Sequence, residues 1–275
     1  MQIGVIGTGN MGTILIESLI GANKVPEENL VITNRTIEKA LLLKEKYPKI
    51  HVLPSPEDVV KKTNVLLICI KPIDFHPLLE KIGPILEKGQ CLVSISSPIS
   101  AKQLESLLPC SCIRVIPSIT NRAFSGVSLV TYGKNCAEDW KEKIKDLFAS
   151  ISTPIEIHDD ITRVASDIVS CGPAFFSLIL QKFIKASIRI AGIEPKLAER
   201  LATEMIIGFG KLLEKQIYSL ETLERKVNVK GGITGEGLKV LEKSGIEETF
   251  QQLFQATHQK FREELETVKG LFDKK

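Results

Sequence analysis

The chain has 275 residues, 43% of them hydrophobic and 25% charged, with a formal net charge of +3. This length exceeds the roughly 100 to 200 residues of one domain and calls for two folding units. The composition is that of a globular protein, not of a disordered, fibrous or membrane chain. So small a charge does not imply a phosphate-tracking surface, and no nucleic-acid partner is expected. Lys141, Lys143 and Lys145 alternate with acids as on a solvated helix face.

The first residues read at once as a strand, Gln2 to Ile6, with no basic leader and cleavage site. No apolar run approaches the roughly 18 residues that cross a bilayer, and the densest, Ala174 to Leu180, reads as part of a buried helix. A cytoplasmic protein without a membrane partner is expected. Of the six cysteines, Cys69 and Cys91 sit in apolar runs as reduced core thiols, while Cys110 and Cys112 lack the spacing of a redox or zinc loop. No metal is expected. His51, His76, His158 and His258 are scattered and read as surface or capping residues.

Up to about residue 158, β-rich runs alternate with helical stretches, the mark of βαβ units and a parallel sheet. Strands are predicted at Gln2 to Ile6, Leu30 to Thr33, Val65 to Ile70, Cys91 to Ser96, Cys112 to Ile116, Val127 to Thr131 and Ile155 to His158, with a weaker one near Ile50 to Leu53. Unbroken apolar runs such as Val65 to Ile70 suit strands covered on both faces. After Asp159 helical periodicity continues to the end. The fold class is therefore α/β: a doubly wound sheet over residues 1–158, followed by an all-α domain over 159–275.

In the second domain, Ala174 to Ile190 keeps only a thin polar stripe of Ser177, Gln181, Lys185 and Arg189, so this helix needs neighbours on several sides. The last helix, roughly Glu247 to Phe272, carries a seam of Phe254, Phe261, Leu265, Val268 and Phe272. A second chain sharing these faces would make a homodimer.

Gly7-x-Gly9-x-x-Gly12 follows the first strand and opens the helical run Met11 to Ile20. In that setting the first glycine permits a tight turn, the second lets a pyrophosphate approach the backbone, and the third allows close helix–strand packing. Ile6, Gly7, Thr8, Gly9, Asn10, Met11 and Gly12 are thus candidate cofactor-binding residues of a Rossmann-type domain. At the end of the second strand, where an acid would meet a ribose 2′-hydroxyl, the chain has Asn34-Arg35-Thr36. A guanidinium there suits a 2′-phosphate, so NADPH is favoured with NADH as the lesser choice; Lys39 lies near the same pocket. The same segment also reads as a helix start capped by Asn34 or Thr36. Ile70-Lys71-Pro72, at the carboxyl edge of the sheet, offers Lys71 for a ribose or phosphate, and on its own equally reads as a turn stiffened by Pro72.

Two further segments stand out. Val227 to Leu238 is glycine-rich and runs into a helix over Leu238 to Lys243. Its backbone N–H groups suit a small carboxylate, with the Thr234 hydroxyl a short reach away; equally it reads as an interhelical loop. At Ser170-Cys171-Gly172-Pro173, Pro173 suits the first turn of the long apolar helix, with Ser170 or Cys171 as its cap.

Taken in order, Gly7 to Gly12, Asn34-Arg35-Thr36, Ile70-Lys71-Pro72, Arg114-Val115-Ile116-Pro117, Cys171-Gly172-Pro173-Ala174-Phe175 and Gly231-Gly232-Ile233-Thr234 resemble the pyrroline-5-carboxylate reductase family, and its late-competence operon branch in particular. The resemblance covers nearly the whole chain. It implies NAD(P)H-dependent reduction of the cyclic imine 1-pyrroline-5-carboxylate to proline, with a helical domain that interlocks with its twin in a dimer; whether dimers assemble further into higher oligomers is left open. It also implies that Gly231 and Gly232, with Lys230 beside them, receive the substrate carboxylate, and that Thr234 acts at the imine nitrogen.

The chain departs from the family pattern at Ser118, where an Asn is usual, at Val229-Lys230, where Ser-Pro is usual, and at Gly235-Glu236, where a small apolar pair is usual. Three readings follow: a pyrroline-5-carboxylate reductase, a reductase of another imine or keto acid, and a non-catalytic dinucleotide-binding regulator.

Overall fold

The computed structural model describes residues 1–272. Eight strands form one sheet in the order β3-β2-β1-β4-β5-β6-β7-β8. They are β1 (Ile3–Ile6), β2 (Leu30–Thr33), β3 (His51–Val52), β4 (Val65–Ile68), β5 (Cys91–Ser94), β6 (Ser111–Ile116), β7 (Val127–Tyr132) and β8 (Thr153–Glu156). All pairings are parallel except β6 with β7. The doubly wound sheet expected from the sequence is present. The weak strand near residue 51 is a two-residue edge strand, and β8 begins two residues before the expected start. β4 and β5 each stop two residues early because the chain peels away at the carboxyl edge, where Cys69 to Lys71 and Ile95 to Ser97 become loop.

Helices cover both faces: α1 (Asn10–Gly21), α2 (Ile37–Lys46), α3 (Pro56–Lys62), α4 (Phe75–Ile82), α5 (Ala101–Glu105) and α6 (Glu138–Ala149). One core layer joins Leu15, Ile16 and Leu19 of α1 to Trp140, Ile144 and Phe148 of α6 across β1 and β5. The opposite layer gathers Val59, Val60, Phe75, Leu79 and Ile82 against Leu66, Ile68 and Leu92. Alternate residues of β4 thus enter different layers: Leu67 the first, Leu66 and Ile68 the second. That is the burial expected of a central parallel strand.

Beyond β8 the described chain is helical: α7 (Thr162–Ser166), α8 (Gly172–Ala191), α9 (Pro195–Glu214), α10 (Leu220–Val227), α11 (Ile233–Lys243) and α12 (Ile246–Phe272). The character changes near residue 159, but the compact units divide elsewhere. One comprises Met1–Pro173 together with the stretch from Ala256, the other Ala174–Gln255. The later part of α12 belongs to the first, where Val268 joins the second core layer and Thr257 and Phe261 meet residues of the segment before α8. Asp167, fully buried at its side chain, accepts from Arg163 Nη2 at 2.8 Å and from Thr257 Oγ1 at 2.7 Å. The Arg163 guanidinium also lies 5.3 Å from the Phe261 ring centre.

Pro173 does not start a helix. Helix continues from α7 through a π-turn, Asp167–Cys171, into α8, with no cap at Ser170 or Cys171. Proline has no N–H for the carbonyl four residues back, which here is Val169. Ser118 supplies the missing donor, its hydroxyl giving a 2.6 Å hydrogen bond to Val169 O, while Ser170 Oγ donates to Pro117 O at 2.9 Å. The wider π-turn and this borrowed donor let the helix pass through Pro173.

The apolar helix α8 is not buried within the chain, contrary to the expectation. Phe176 is 65% exposed, Phe183 62% and Ile190 90%. The helical run Asp159–Ala191 contains an 18-residue window of mean hydropathy 1.4 and is, by length and composition, long and apolar enough to cross a membrane. The sequence reading looked for an uninterrupted apolar run, whereas this window averages over a thin polar stripe.

Candidate functional site

The chain order reverses between β1 and β4, so a crevice opens at their carboxyl ends, where doubly wound sheets hold ligands. Gly7 has φ +102°, and a Cβ there would collide with the Cys69 carbonyl. A Cβ at Gly12 would strike the Gly7 carbonyl, so α1 packs tightly beneath the turn. Gly9 faces open space and serves as N-cap of α1 without a side-chain cap. Backbone N–H groups at that helix end are therefore available to an anion.

A hollow of about 480 Å³ adjoins this turn. Of the expected residues it brings together Ile6, Gly7, Gly9, Asn34, Arg35, Thr36, Lys39, Ile70 and Lys71. Thr8, Asn10, Met11, Gly12 and Pro72 do not line it. Thr8 and Gly12 are buried in the turn, Asn10 and Met11 open α1, and Pro72 begins a single 3₁₀ turn.

Asn34 braces the turn: its Oδ1 accepts from Thr8 N at 2.9 Å and its Nδ2 donates to Thr36 O at 2.8 Å. Neither Asn34 nor Thr36 caps α2 through its side chain. Arg35 reaches across the mouth, Nη1 lying 3.2 Å from Asp74 Oδ1.

The residues fit a dinucleotide. The uncapped start of α1 faces the hollow's open side at Gly9, and four cations line it; Thr8 Oγ1 in the turn and Ser96 Oγ beyond β5 are buried without a hydrogen-bond partner, though neither residue lines the hollow. Sequence reasoning missed Asp74, Lys81 and Cys69. A charge on a helix and a cysteine at a strand end carry no signal by themselves, and these residues meet the crevice only through the topology. Burial pushes the Cys69 thiol up to about 12, so it presents a neutral S–H to the hollow.

Arg114, the one charged side chain within β6, is almost fully buried. Its Nη2 donates to Asp159 at 2.6 Å, Thr162 at 2.7 Å and Thr131 at 2.9 Å, and its Nη1 to Ser97 O at 3.2 Å. Burial lowers its pKa and Asp159 opposes that shift, so the guanidinium stays charged. It braces the loop after β5 against the approach to α7.

The glycine-rich segment forms a second candidate site, in the other compact unit. Gly231 takes φ +74°, and Gly232 is the N-cap of α11 with no side-chain cap. The N–H of Gly232 is already used, donating to Val229 O at 2.9 Å, so the free donors lie in the first turn of α11 and not on Gly232. Thr234 is exposed in that turn. A hollow of about 440 Å³ in this segment is lined by Lys230, Gly231, Gly232, Glu236, Lys239 and Glu242 among others but not by Thr234, with Lys239 Nζ 2.7 Å from Glu236 Oε1. A Cβ at Gly235 would come within 2.8 Å of Asn228 Oδ1, a side-chain tip that would have to turn away. Among the described residues, no cluster of three or more His, Cys, Asp or Glu side chains could hold a metal ion.

Residues 159–264 match the family described as pyrroline-5-carboxylate reductase dimerisation, and residues 2–98 the family described as NADP oxidoreductase, coenzyme F420-dependent. The chain is 52% identical to ComE operon protein 4 of Bacillus subtilis over 99% of both chains. It is 31% identical to pyrroline-5-carboxylate reductase 3 of the same organism, over 94% of this chain and 95% of that one. The fold is shared with a pyrroline carboxylate reductase of Plasmodium falciparum crystallised with NADP bound, at TM-score 0.85 and 24% identity over 96% of this chain and 98% of that one. From the Gly7 turn to the end of its helical half, the chain belongs to the pyrroline-5-carboxylate reductase family of NAD(P)-dependent oxidoreductases.

Proposed function

We propose that this protein is a cytoplasmic, homodimeric, NADPH-dependent reductase of 1-pyrroline-5-carboxylate, forming proline. The carrying observation is the uncapped start of α11 behind Gly231, with Thr234 in its first turn, in a chain whose other unit is built for a dinucleotide. Free N–H groups at a helix start anchor a carboxylate. Thr234 Oγ1 orders the imine nitrogen or a water that protonates it. Bound NADPH supplies the hydride for the imine carbon. A threonine hydroxyl is a weak acid, so rate enhancement rests on positioning the reactants.

The homodimer is supported by the family match over residues 159–264 and by the bare apolar face of α8. All six cysteines are free, which suits a reducing compartment.

The test is NADPH oxidation by the purified protein with pyrroline-5-carboxylate. Thr234→Val should lower turnover about 100-fold, the usual value of general-acid assistance, and leave NADPH affinity unchanged, while Thr234→Ser keeps part of the activity. Equal turnover by Thr234→Val and wild type would make Thr234 a loop residue. A second reading is favoured by the charged lining of Lys230, Glu236 and Lys239 and by the 52% identity to a competence-operon protein. On that reading NADPH binds, and either another imine or keto acid is reduced or no reaction follows. NADPH binding with no turnover on several cyclic imines and 2-keto acids would select the regulator.

A further inference from the structure

Four cations, Arg35, Lys39, Lys71 and Lys81, line the hollow beside the Gly-rich turn, and Asp74 is the one acid among its lining residues. Asp74 ends the 3₁₀ turn Pro72–Asp74 that follows β4, whereas Arg35 follows β2. The two come from opposite sides of β1 and meet with Asp74 Oδ1 3.2 Å from Arg35 Nη1. The carboxylate therefore sits on the guanidinium proposed to hold a 2′-phosphate. Arg35 is 82% exposed at its side chain, whereas Asp74, 36% exposed, is the N-cap residue of α4 and lines the pocket, so its backbone position keeps the carboxylate near the site whichever way Arg35 turns.

We infer that Asp74 is a specificity-determining residue: it occupies Arg35 in the ligand-free site and repels a 2′-phosphate, so it holds down the preference for NADPH over NADH. The inference rests on the cofactor reading above. A phosphate on Arg35 must displace the carboxylate and then carries its charge within a few ångströms of it. A 2′-hydroxyl carries no charge and feels neither effect. Fixed like charges at this separation weaken binding even near the surface, and salt screens the effect.

The experiment is a fluorescence titration of wild type and Asp74→Asn with NADPH and with NADH, at low and at high salt. Asp74→Asn should lower the NADPH dissociation constant about three- to tenfold and move that of NADH by less than twofold, with the NADPH gain shrinking at high salt. Asp74→Ala serves as a second variant, and the thermal midpoints of all three proteins report whether they are folded. An unmoved or raised NADPH constant in both folded variants, or equal tightening of both cofactors, would overturn the inference while a wild-type preference for NADPH keeps the cofactor reading intact. A wild type that binds neither cofactor overturns both.

Discussion

At the residue scale the cofactor site is a matter of which side chains reach one point in space. Asn34-Arg35-Thr36 was legible because it follows the second strand at a fixed offset from the Gly-rich turn, and the structure places all three on the hollow. Asn34 spends its side chain on the backbone of the turn, so Arg35, paired only with Asp74 at the surface, is the member that can turn its charge to a ligand. Arg35→Ala should weaken NADPH by about 1 to 2 kcal/mol, the low range for a charge-assisted bond, because Arg35 is largely exposed. NADH should bind nearly as before, since only the 2′-phosphate differs. Equal weakening in parallel titrations would detach Arg35 from the 2′-phosphate. Asp74 and Lys81 were not legible: they approach from the β4 side, about forty residues further along the chain, and nothing local marks them.

At the element scale the passage from α7 into α8 shows how a local rule is overridden. Proline suits the first turn of a helix, so the sequence points to a start at Pro173. The helix instead runs through, because Ser118 donates to the Val169 carbonyl that Pro173 leaves without a partner. The departure at Ser118 from the family's usual Asn therefore has a structural use. Ser118→Ala should destabilise the protein by about 1 to 3 kcal/mol, the cost of an unsatisfied buried acceptor. In a Pro173→Ala background, where residue 173 regains its N–H, the same change should cost less. A thermal or urea double-mutant cycle reads the difference, and equal costs in the two backgrounds would show that Ser118 does not serve that carbonyl.

At the scale of the whole molecule the open question for a single chain is the apolar surface of α8. A face that bears Phe176, Ile179, Phe183 and Ile190 in the open exceeds what monomers normally expose, and the stretch falls within the region matched to the dimerisation family. Obligate interfaces of this kind are large and apolar, commonly above about 2,000 Å². The wild type should therefore scatter light as a dimer at micromolar concentration. Phe183→Glu, which puts a charge on that face, should shift it to monomer. A wild-type monomer at that concentration would remove the dimer from the proposed function.

The sequence by itself determined the doubly wound sheet, the Gly-rich turn, the second-strand Arg35 and the change to helix near residue 159. Each is written in local periodicity or in short fixed spacings, and a strand, a tight turn or a helix face is set by the residues next to one another. Only the tertiary structure decided that Asp74 would meet Arg35, that Ser118 would carry the helix through Pro173, and that the end of α12 would lie with the first unit. These depend on which distant segments the strand order brings together, and no local pattern encodes that. The apolar run at α8 lies between the two: its composition was plain, but whether the chain itself would cover it depended on how many helices pack around it, and in the structure too few do.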